Sequence, residues 1–236
     1  MILKAMAEPF RRWRPAVRLA WPWFLVSVLA MLAAVARREP QDAGIDAVLA
    51  GLAHWLCLLL FLTAWMRFLA GGAEIRLSRP VLLATGRVAL VGAALYAAWQ
   101  GGLLLLVLAI AAGHGLGLPD IAIDGLLLLA LAGGWWLWAR AAVYLAPLAL
   151  DDADWRGGWA AGRAAGWRLM VALALAAAPM ALATPLADGA AVLHAEAGRI
   201  ALWPPLLWLL AGYLSAALFG AVLVAVWTVG RDGPPA

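Results

Sequence analysis

The residues best suited to binding chemistry lie between Asp151 and Arg168, in the stretch DDADWRGGWAAGRAAGWR. Helical periodicity gathers an aromatic and cationic face there, formed by Trp155, Arg156, Trp159, Arg163 and Trp167. Arginine binds phosphate through paired N–H donors, and tryptophan rings lie at the depth of lipid headgroups. The predicted chemistry is attachment to anionic lipid headgroups, with cation–π contact between Arg163 and the neighbouring tryptophans.

The opposite side of the same predicted helix carries very small residues. It comprises Gly157, Gly158, Ala160, Ala161, Ala164 and Ala165. Small side chains let two helices approach closely within a membrane. We therefore expect an interfacial elbow helix that docks on the bundle by its small face, and secondarily a surface for a protein partner. Asp151, Asp152 and Asp154 precede it, where a helix N-terminus favours negative charge.

Two polar side chains fall inside apolar runs. Gln100 lies near the middle of the third run, and an amide at that depth must find a partner because lipid offers none. The pattern favours a bond between helices over contact with a substrate. His54 lies in the outer half of the second run, with no acidic residue inside any run to complete a proton relay. We expect a hydrogen-bonded packing histidine.

Residues able to bind a metal occur in the segments predicted to lie outside the membrane. They are His114, Asp120, Asp124, Asp188, His194 and Glu196. Their spacing matches no known ligand motif, and the sequence also contains no GxSxG, HExxH, GxxxxGK[ST] or CxxC. The sequence therefore predicts no catalytic, metal or cofactor-binding residue, and a protein that is not an enzyme. Cys57 is expected to be a small packing residue.

The composition indicates a membrane protein. Hydrophobic residues make up 67% of the 236 positions, charged residues 13%, and the mean hydropathy is +0.93. A soluble domain carries roughly 25% charged residues and could not hide this much apolar surface from water. A bilayer can accommodate it.

Six apolar runs are long enough to cross a bilayer at 1.5 Å per residue. They cover about 19–36, 47–68, 88–112, 121–139, 169–186 and 205–229. The sequence predicts one all-α membrane domain over 1–236, with six transmembrane helices and interfacial amphipathic segments. Ala34-Val35-Ala36 resembles a signal-peptidase site, but the long basic region before it favours retention of the first run as a transmembrane helix. Failure of the fifth run to span would leave a five-span alternative.

The cations predict the orientation of these spans. With the N-terminus in the cytoplasm, all but Arg37, Arg38 and Arg199 of the 17 Lys and Arg residues face inward, which is the bias that sets topology. Both termini are therefore expected in the cytoplasm. Topology and anionic lipid account for the net charge of +4, so nucleic acid is not an expected partner. The predominance of Arg, Ala and Gly is typical of a GC-rich bacterial genome, which favours the bacterial inner membrane.

Basic segments precede three pairs of spans, at about 8–18, 74–87 and 151–168. In the second segment, Arg76, Arg79 and Arg87 share one side of a helical projection. This pattern predicts three helix-pair repeats over about 1–70, 74–150 and 151–230. The alternative is that selection for cytoplasmic arginine alone produces the pattern.

The run Tyr144-Leu145-Ala146-Pro147, with Leu150-Asp151 and then Trp155 to Trp167, resembles a group of poorly characterised bacterial six-span inner-membrane proteins. Their relatives include the membrane domain fused to some glycerophosphoryl diester phosphodiesterases. In that group an Ala/Pro-rich span end and an amphipathic cytoplasmic helix lead into the fifth span. Ala and Gly replace the Ser common in that helix. The sequence contains no phosphodiesterase domain, so the resemblance implies the layout and not hydrolysis.

Together these patterns favour a non-enzymatic scaffold, assembly factor or accessory subunit of a membrane complex. The specialised surface segments and the missing catalytic motifs motivate that hypothesis, which implies lipid headgroups and a membrane protein as partners. A small-solute or lipid transporter is the first alternative. It predicts a polar path that links Gln100, His54 and one mouth of the bundle. A lipid-handling membrane enzyme is the second.

Overall fold

Helices account for all the regular secondary structure in the computed structural model, which describes residues 2–36, 43–71, 78–115, 119–152, 155–196 and 202–232. In chain order the helices are α1 (Ile2–Ala5), α2 (Glu8–Arg11), α3 (Trp13–Ala36), α4 (Ala43–Gly71), α5 (Arg79–Gly115), α6 (Asp120–Ala142), α7 (Leu145–Ala149), α8 (Trp155–Ala165), α9 (Trp167–Glu196) and α10 (Trp203–Asp232). This architecture confirms the predicted all-α fold.

Six segments are long and apolar enough to cross a membrane, as the sequence predicts. They are Trp13–Ala33, Val48–Gly71, Arg79–Gly115, Asp120–Ala149, Trp167–Gly189 and Trp203–Arg231. Each contains a window with a mean hydropathy between 1.7 and 2.2. A helix satisfies its own backbone hydrogen bonds, which is what an apolar span requires in hydrocarbon. The chain is therefore a six-span membrane protein.

The basic segments that precede the span pairs do not share one structure. Helix α3 begins at Trp13, so residues 13–18 form its first turns, and only the short α1 and α2 lie before it. Helix α5 runs without interruption from Arg79, so 79–87 is continuous with the third span and is not a separate interfacial helix. Residue Arg76 lies outside the described residues. Of the three segments, 151–168 alone contains a separate helix of more than one turn among the described residues.

Helix α10 forms the centre of the bundle. It packs against α9, α4, α8 and α3, and 67% of its most apolar window is buried. The corresponding window of α5 is 0% buried, because α5 contacts mainly α6, α4 and α7. The α5–α6 pair is therefore peripheral, and both of these helices expose broad apolar surfaces.

Two clusters of buried side chains hold the bundle together. One joins the ends of α4, α6 and α10 to the start of α9, through residues such as Met66, Val143, Leu169 and Trp227. The other joins α3, α4 and α10, and Trp65 lies fully buried within it. The indole N–H of Trp65 donates to the carbonyl oxygen of Ala217 at 2.9 Å. Helix α10 contributes to both clusters.

Candidate functional site

The elbow helix α8 ends before the predicted aromatic face is complete. Ala165 is its last residue, and Gly166 follows with a φ of 56°, in the left-handed region that glycine adopts without strain. Trp167 then begins α9. The interpretation of 155–167 as one continuous helical face is therefore wrong at Trp167, because a turn at Gly166 changes the helix direction.

Three of the small residues of α8 pack against the bundle. Gly158, Ala161 and Gly162 are buried. A Cβ added to Gly162 would lie 3.2 Å from the carbonyl oxygen of Arg140, and one added to Gly158 would lie 3.2 Å from the ring of Tyr144. Gly230 of α10 likewise lies against Ala161. Gly158 and Ala161 of the predicted small face therefore dock on the bundle together with Gly162, whereas Ala160 and Ala164 are exposed.

The other face of α8 points away from the bundle. Trp159 is 37% exposed and stacks on Tyr144, with ring centres 6.3 Å apart. Arg163 is exposed, and Trp167 at the start of α9 is 68% exposed. The side chains of Trp155 and Arg156 lie outside the described residues. The aromatic and cationic face is thus at the surface wherever the structure describes it.

The cation that lies over Trp159 is Arg140 of α6, whereas the sequence predicts Arg163 in that place. Its guanidinium lies 3.4 Å from the ring centre of Trp136 and 5.9 Å from that of Trp159. Its Nε is buried and has no hydrogen-bond partner among the described residues. Cation–π contacts stabilise a pair by about 0.5–2 kcal/mol. Because Nε is buried, an anion would have to pair with the terminal Nη groups of Arg140. The contact of Arg140 with Trp159 is not evident from the sequence, because the two residues lie on different helices.

An apolar groove separates the exposed parts of α5 and α6 and ends at Trp159. Its volume is about 380 Å³, and it is lined by residues that include Trp99, Gly102, Leu103, Leu137 and Trp138. Small-molecule sites typically measure about 300–1,000 Å³. The groove is therefore large enough for part of an elongated apolar ligand.

Stacked tryptophans fix one wall of this groove. The Trp135 and Trp138 rings stack with centres 5.0 Å apart, and Trp99 meets Trp135 edge to face at 6.1 Å. The indole N–H of Trp135 donates to the carbonyl oxygen of Met170 at 3.3 Å, which ties the wall to α9. These contacts hold the wall in one arrangement.

A charged cluster braces the turn that leads into α8. Asp151 has a φ of 58° and receives Arg67 Nη1 at 2.8 Å and Arg87 Nη1 at 3.2 Å on its two carboxylate oxygens. Arg67 Nη1 also donates to the carbonyl oxygen of Ala149 at 2.9 Å. A carboxylate of the chain therefore pairs with Arg67 at this end of α4. Among the described residues, the Asp151 carboxylate is bound by these two arginines.

His54 belongs to a buried polar cluster between α3, α4 and α10. Its Nδ1 lies 3.1 Å from Ser27 Oγ, which in turn lies 3.1 Å from the Tyr213 hydroxyl. The His54 ring lies 5.0 Å from that of Trp208, and its Nε2 has no partner among the described residues. The structure thus places His54 as a hydrogen-bonded core residue. Sequence reasoning missed Ser27 and Tyr213, because only the packing of three helices reveals them.

Gln100 is placed on the exposed side of α5, and its partner is not on another helix. Its Nε2 donates to the Tyr96 hydroxyl at 2.6 Å, one turn earlier in the same helix. Gln100 and His54 therefore occupy separate places, one on the bundle surface and one in its core. The polar path that a solute transporter would need does not join these two residues within the described chain.

The candidate metal ligands do not form a ligand set in the part of the chain that the structure describes. His114 Nε2 lies 3.6 Å from Asp120 Oδ1, and both side chains are exposed. The side chains of His194 and Glu196 lie outside the described residues. Within the described ranges, no group of three or more His, Cys, Asp or Glu residues could hold a metal ion.

Comparison of the chain with protein-family models, with curated proteins and with solved structures gives no match. The resemblance to the membrane domain of glycerophosphoryl diester phosphodiesterases therefore stays a prediction.

Proposed function

We propose that this protein is a non-enzymatic accessory subunit or scaffold, which binds another membrane protein through one face of α5. The face consists of Ala93, Tyr96, Ala97, Gln100 and Gly101, and we name it the α5 partner face. At 100° per residue these side chains span less than half of the helix circumference, and all of them are exposed. Tyr96, the largest, is 62% exposed.

The Gln100–Tyr96 pair is the observation that carries the proposal. The bond to Tyr96 uses one of the two N–H donors of the Gln100 amide, and the second donor and the carbonyl oxygen have no partner among the described residues. Hydrocarbon offers an amide nothing to bond, whereas a second helix does. Polar groups facing the outside of a bundle at this depth are therefore expected to meet protein.

The small residues beside Gln100 permit a close approach. Ala93, Ala97 and Gly101 recur at every fourth position, the spacing of the small-residue motifs that bring transmembrane helices together. A Cβ added to Gly101 would meet nothing within 4 Å, so the space above it is open. A helix that docks here gains backbone contact and a hydrogen bond to Gln100 together.

The proposal also includes the orientation of the chain, with both termini in the cytoplasm, and its location in a bacterial inner membrane. The bias of cations places α1, α2, α8 and the end of α10 on the cytoplasmic side of a bacterial inner membrane. Contacts of α10 with α1, α2 and α8 support this, since the basic segments then gather at one end of the bundle. A reporter fused after Ala236 should be active only in the cytoplasm, and activity outside the cell would contradict the orientation.

A photo-crosslinking amino acid at position 97 tests the partner face in living cells. We expect one discrete protein adduct from Ala97, and none from Leu182 of α9, which is 67% exposed and serves as the matched control. Gln100→Leu should reduce recovery of that partner roughly 5–30-fold, the equivalent of about 1–2 kcal/mol. Identical patterns from both positions, or an adduct formed only with a second copy of this chain, would contradict the accessory role.

The groove beside Trp99 favours lipid binding as a second activity, which would suit a lipid transporter or a lipid-handling enzyme. Lipid exchange between proteoliposome leaflets would identify the former, and lipid turnover by the purified protein the latter. Either result without any protein partner would displace the scaffold proposal.

A further inference from the structure

The groove between α5 and α6 is apolar along its length and cationic at one end. Ala141 and Trp159 line the end near α8, and the guanidinium of Arg140 lies 5.9 Å from the Trp159 ring centre. Arg140 does not itself line the groove, but its positive charge lies over a ring that does. An apolar groove with a cation near one end suits an amphiphile that has an apolar chain and an anionic head.

Arg140 has the electrostatic character of an anion site. Among the described residues it forms no ion pair and no hydrogen bond, although Trp136 and Trp159 hold its guanidinium and its Nε is buried. A partly buried cation without a counter-ion is unfavourable, and a phosphate oxygen would relieve it. Arginine offers phosphate two parallel N–H donors, so the pairing is geometric as well as electrostatic.

We infer that this groove holds one acyl chain of a glycerophospholipid whose phosphate binds Arg140. The lipid belongs to the leaflet on the α8 side, because Arg140 lies at that end of α6. Arg163, exposed one turn beyond Trp159 on α8, supplies a second positive charge near the headgroup. The site is separate from the α5 partner face, since Gly102 lines the groove whereas Gly101, about 100° away around the helix, does not.

Gly102→Leu and Gly101→Leu form a matched pair of variants for this inference. A Cβ at either position meets nothing within 4 Å, so both variants should fold. Gly102→Leu fills the groove, and Gly101→Leu blocks the partner face. Arg140→Gln removes the cation, and Arg14→Gln is its control, because Arg14 also lies over a tryptophan ring, at 5.5 Å from Trp13, but away from the groove.

The test is native mass spectrometry of the full chain in mild detergent, with added dioleoylphosphatidylglycerol or dioleoylglycerol. We expect one phosphatidylglycerol retained per chain, and at least about tenfold weaker retention in Arg140→Gln and Gly102→Leu. Gly101→Leu and Arg14→Gln should retain it as the parent does. Equal binding of dioleoylglycerol, or displacement of the phospholipid by inorganic phosphate with no loss in Gly102→Leu, would overturn the inference. Loss of the protein partner in Gly101→Leu with lipid retained would separate this site from the proposed function.

Discussion

Arg67 donates from Nη1 to Oδ2 of Asp151 at 2.8 Å, and this bond joins the end of α4 to the turn before α8. Arg87 of α5 binds the other carboxylate oxygen at 3.2 Å. One carboxylate therefore connects α4 and α5 to the segment that positions the elbow helix.

Asp151→Asn should weaken this connection without straining the backbone, because asparagine also tolerates a positive φ. The Arg87 and Asp151 side chains are exposed, so solvent screens the pair and we expect a loss of at most about 1 kcal/mol. Thermal unfolding in low salt should detect a fall in Tm of about 2–4 °C. The difference should shrink in about 1 M NaCl, where the screening length is about 3 Å. Asp188→Asn, at an exposed site on α9, should change the Tm little. A fall in Tm equal to that of Asp151→Asn would contradict a stabilising role for the Asp151 ion pairs.

Removing the hydroxyl of Tyr213 should destabilise the α3–α4–α10 core. Tyr213→Phe removes one hydrogen-bond partner of Ser27 Oγ and leaves another, His54 Nδ1, while the ring contacts with Phe24 and Phe61 persist. Hydrogen bonds between membrane helices contribute about 0.6–1.7 kcal/mol. A double-mutant cycle with Ser27→Ala should return a coupling of that size. Pairing Ser27→Ala with Thr85→Val should return about zero, since Thr85 bonds only its own helix. Equal couplings in the two cycles would contradict the hydrogen bond.

Two glycine-to-alanine changes should have opposite effects on the stability of the protein. Gly133→Ala meets nothing within 4 Å and should stabilise its helix by about 0.5–1 kcal/mol through the lower backbone entropy of alanine. Gly162→Ala places its Cβ 3.2–3.3 Å from backbone atoms of Arg140, which cannot move aside as a flexible side chain would. We expect lower stability and greater proteolysis near α8. Stabilisation by both changes would mean that α8 does not dock closely.

The turn at Gly166 should resist substitution for conformational reasons alone. A Cβ there would meet nothing within 4 Å, but the φ of 56° is unfavourable for residues that carry one. Gly166→Ala should cost about 1–2 kcal/mol, and Gly166→Asn should cost less, because asparagine visits this region more readily. Denaturation of the two variants in the same detergent provides the comparison. Equal stability would argue against a left-handed turn.

The number and approximate positions of the spans followed from local composition, because each span must be apolar over its own length. The docking face of α8 was also predictable, since Gly158, Ala161 and Gly162 share a helical side. Span ends were harder to predict. Helix α5 extends back to Arg79 because nothing in 79–87 breaks a helix, although Pro80 lies in its first turn where proline is tolerated.

Contacts between distant segments were not predictable from one sequence. The groups that satisfy His54, Arg67 and Trp65 lie on other helices, and periodicity reveals only which side of a helix is apolar. The break at Gly166 was missed because a helical spacing of tryptophans and arginine continues across it. The cation that lies over Trp159 is Arg140. This contact was not predictable, because it joins α6 to α8 and forms only when the two helices pack together.

Helix α10 completes both buried clusters, yet it follows every other described helix in the chain. During synthesis, Ser27 and His54, which bond each other, enter the bilayer before Tyr213 can bond Ser27, and Trp65 enters before its acceptor at Ala217. Until α10 arrives, the indole N–H of Trp65 therefore lacks this acceptor, a state that hydrocarbon penalises. Final packing of both buried clusters consequently waits for the insertion of α10.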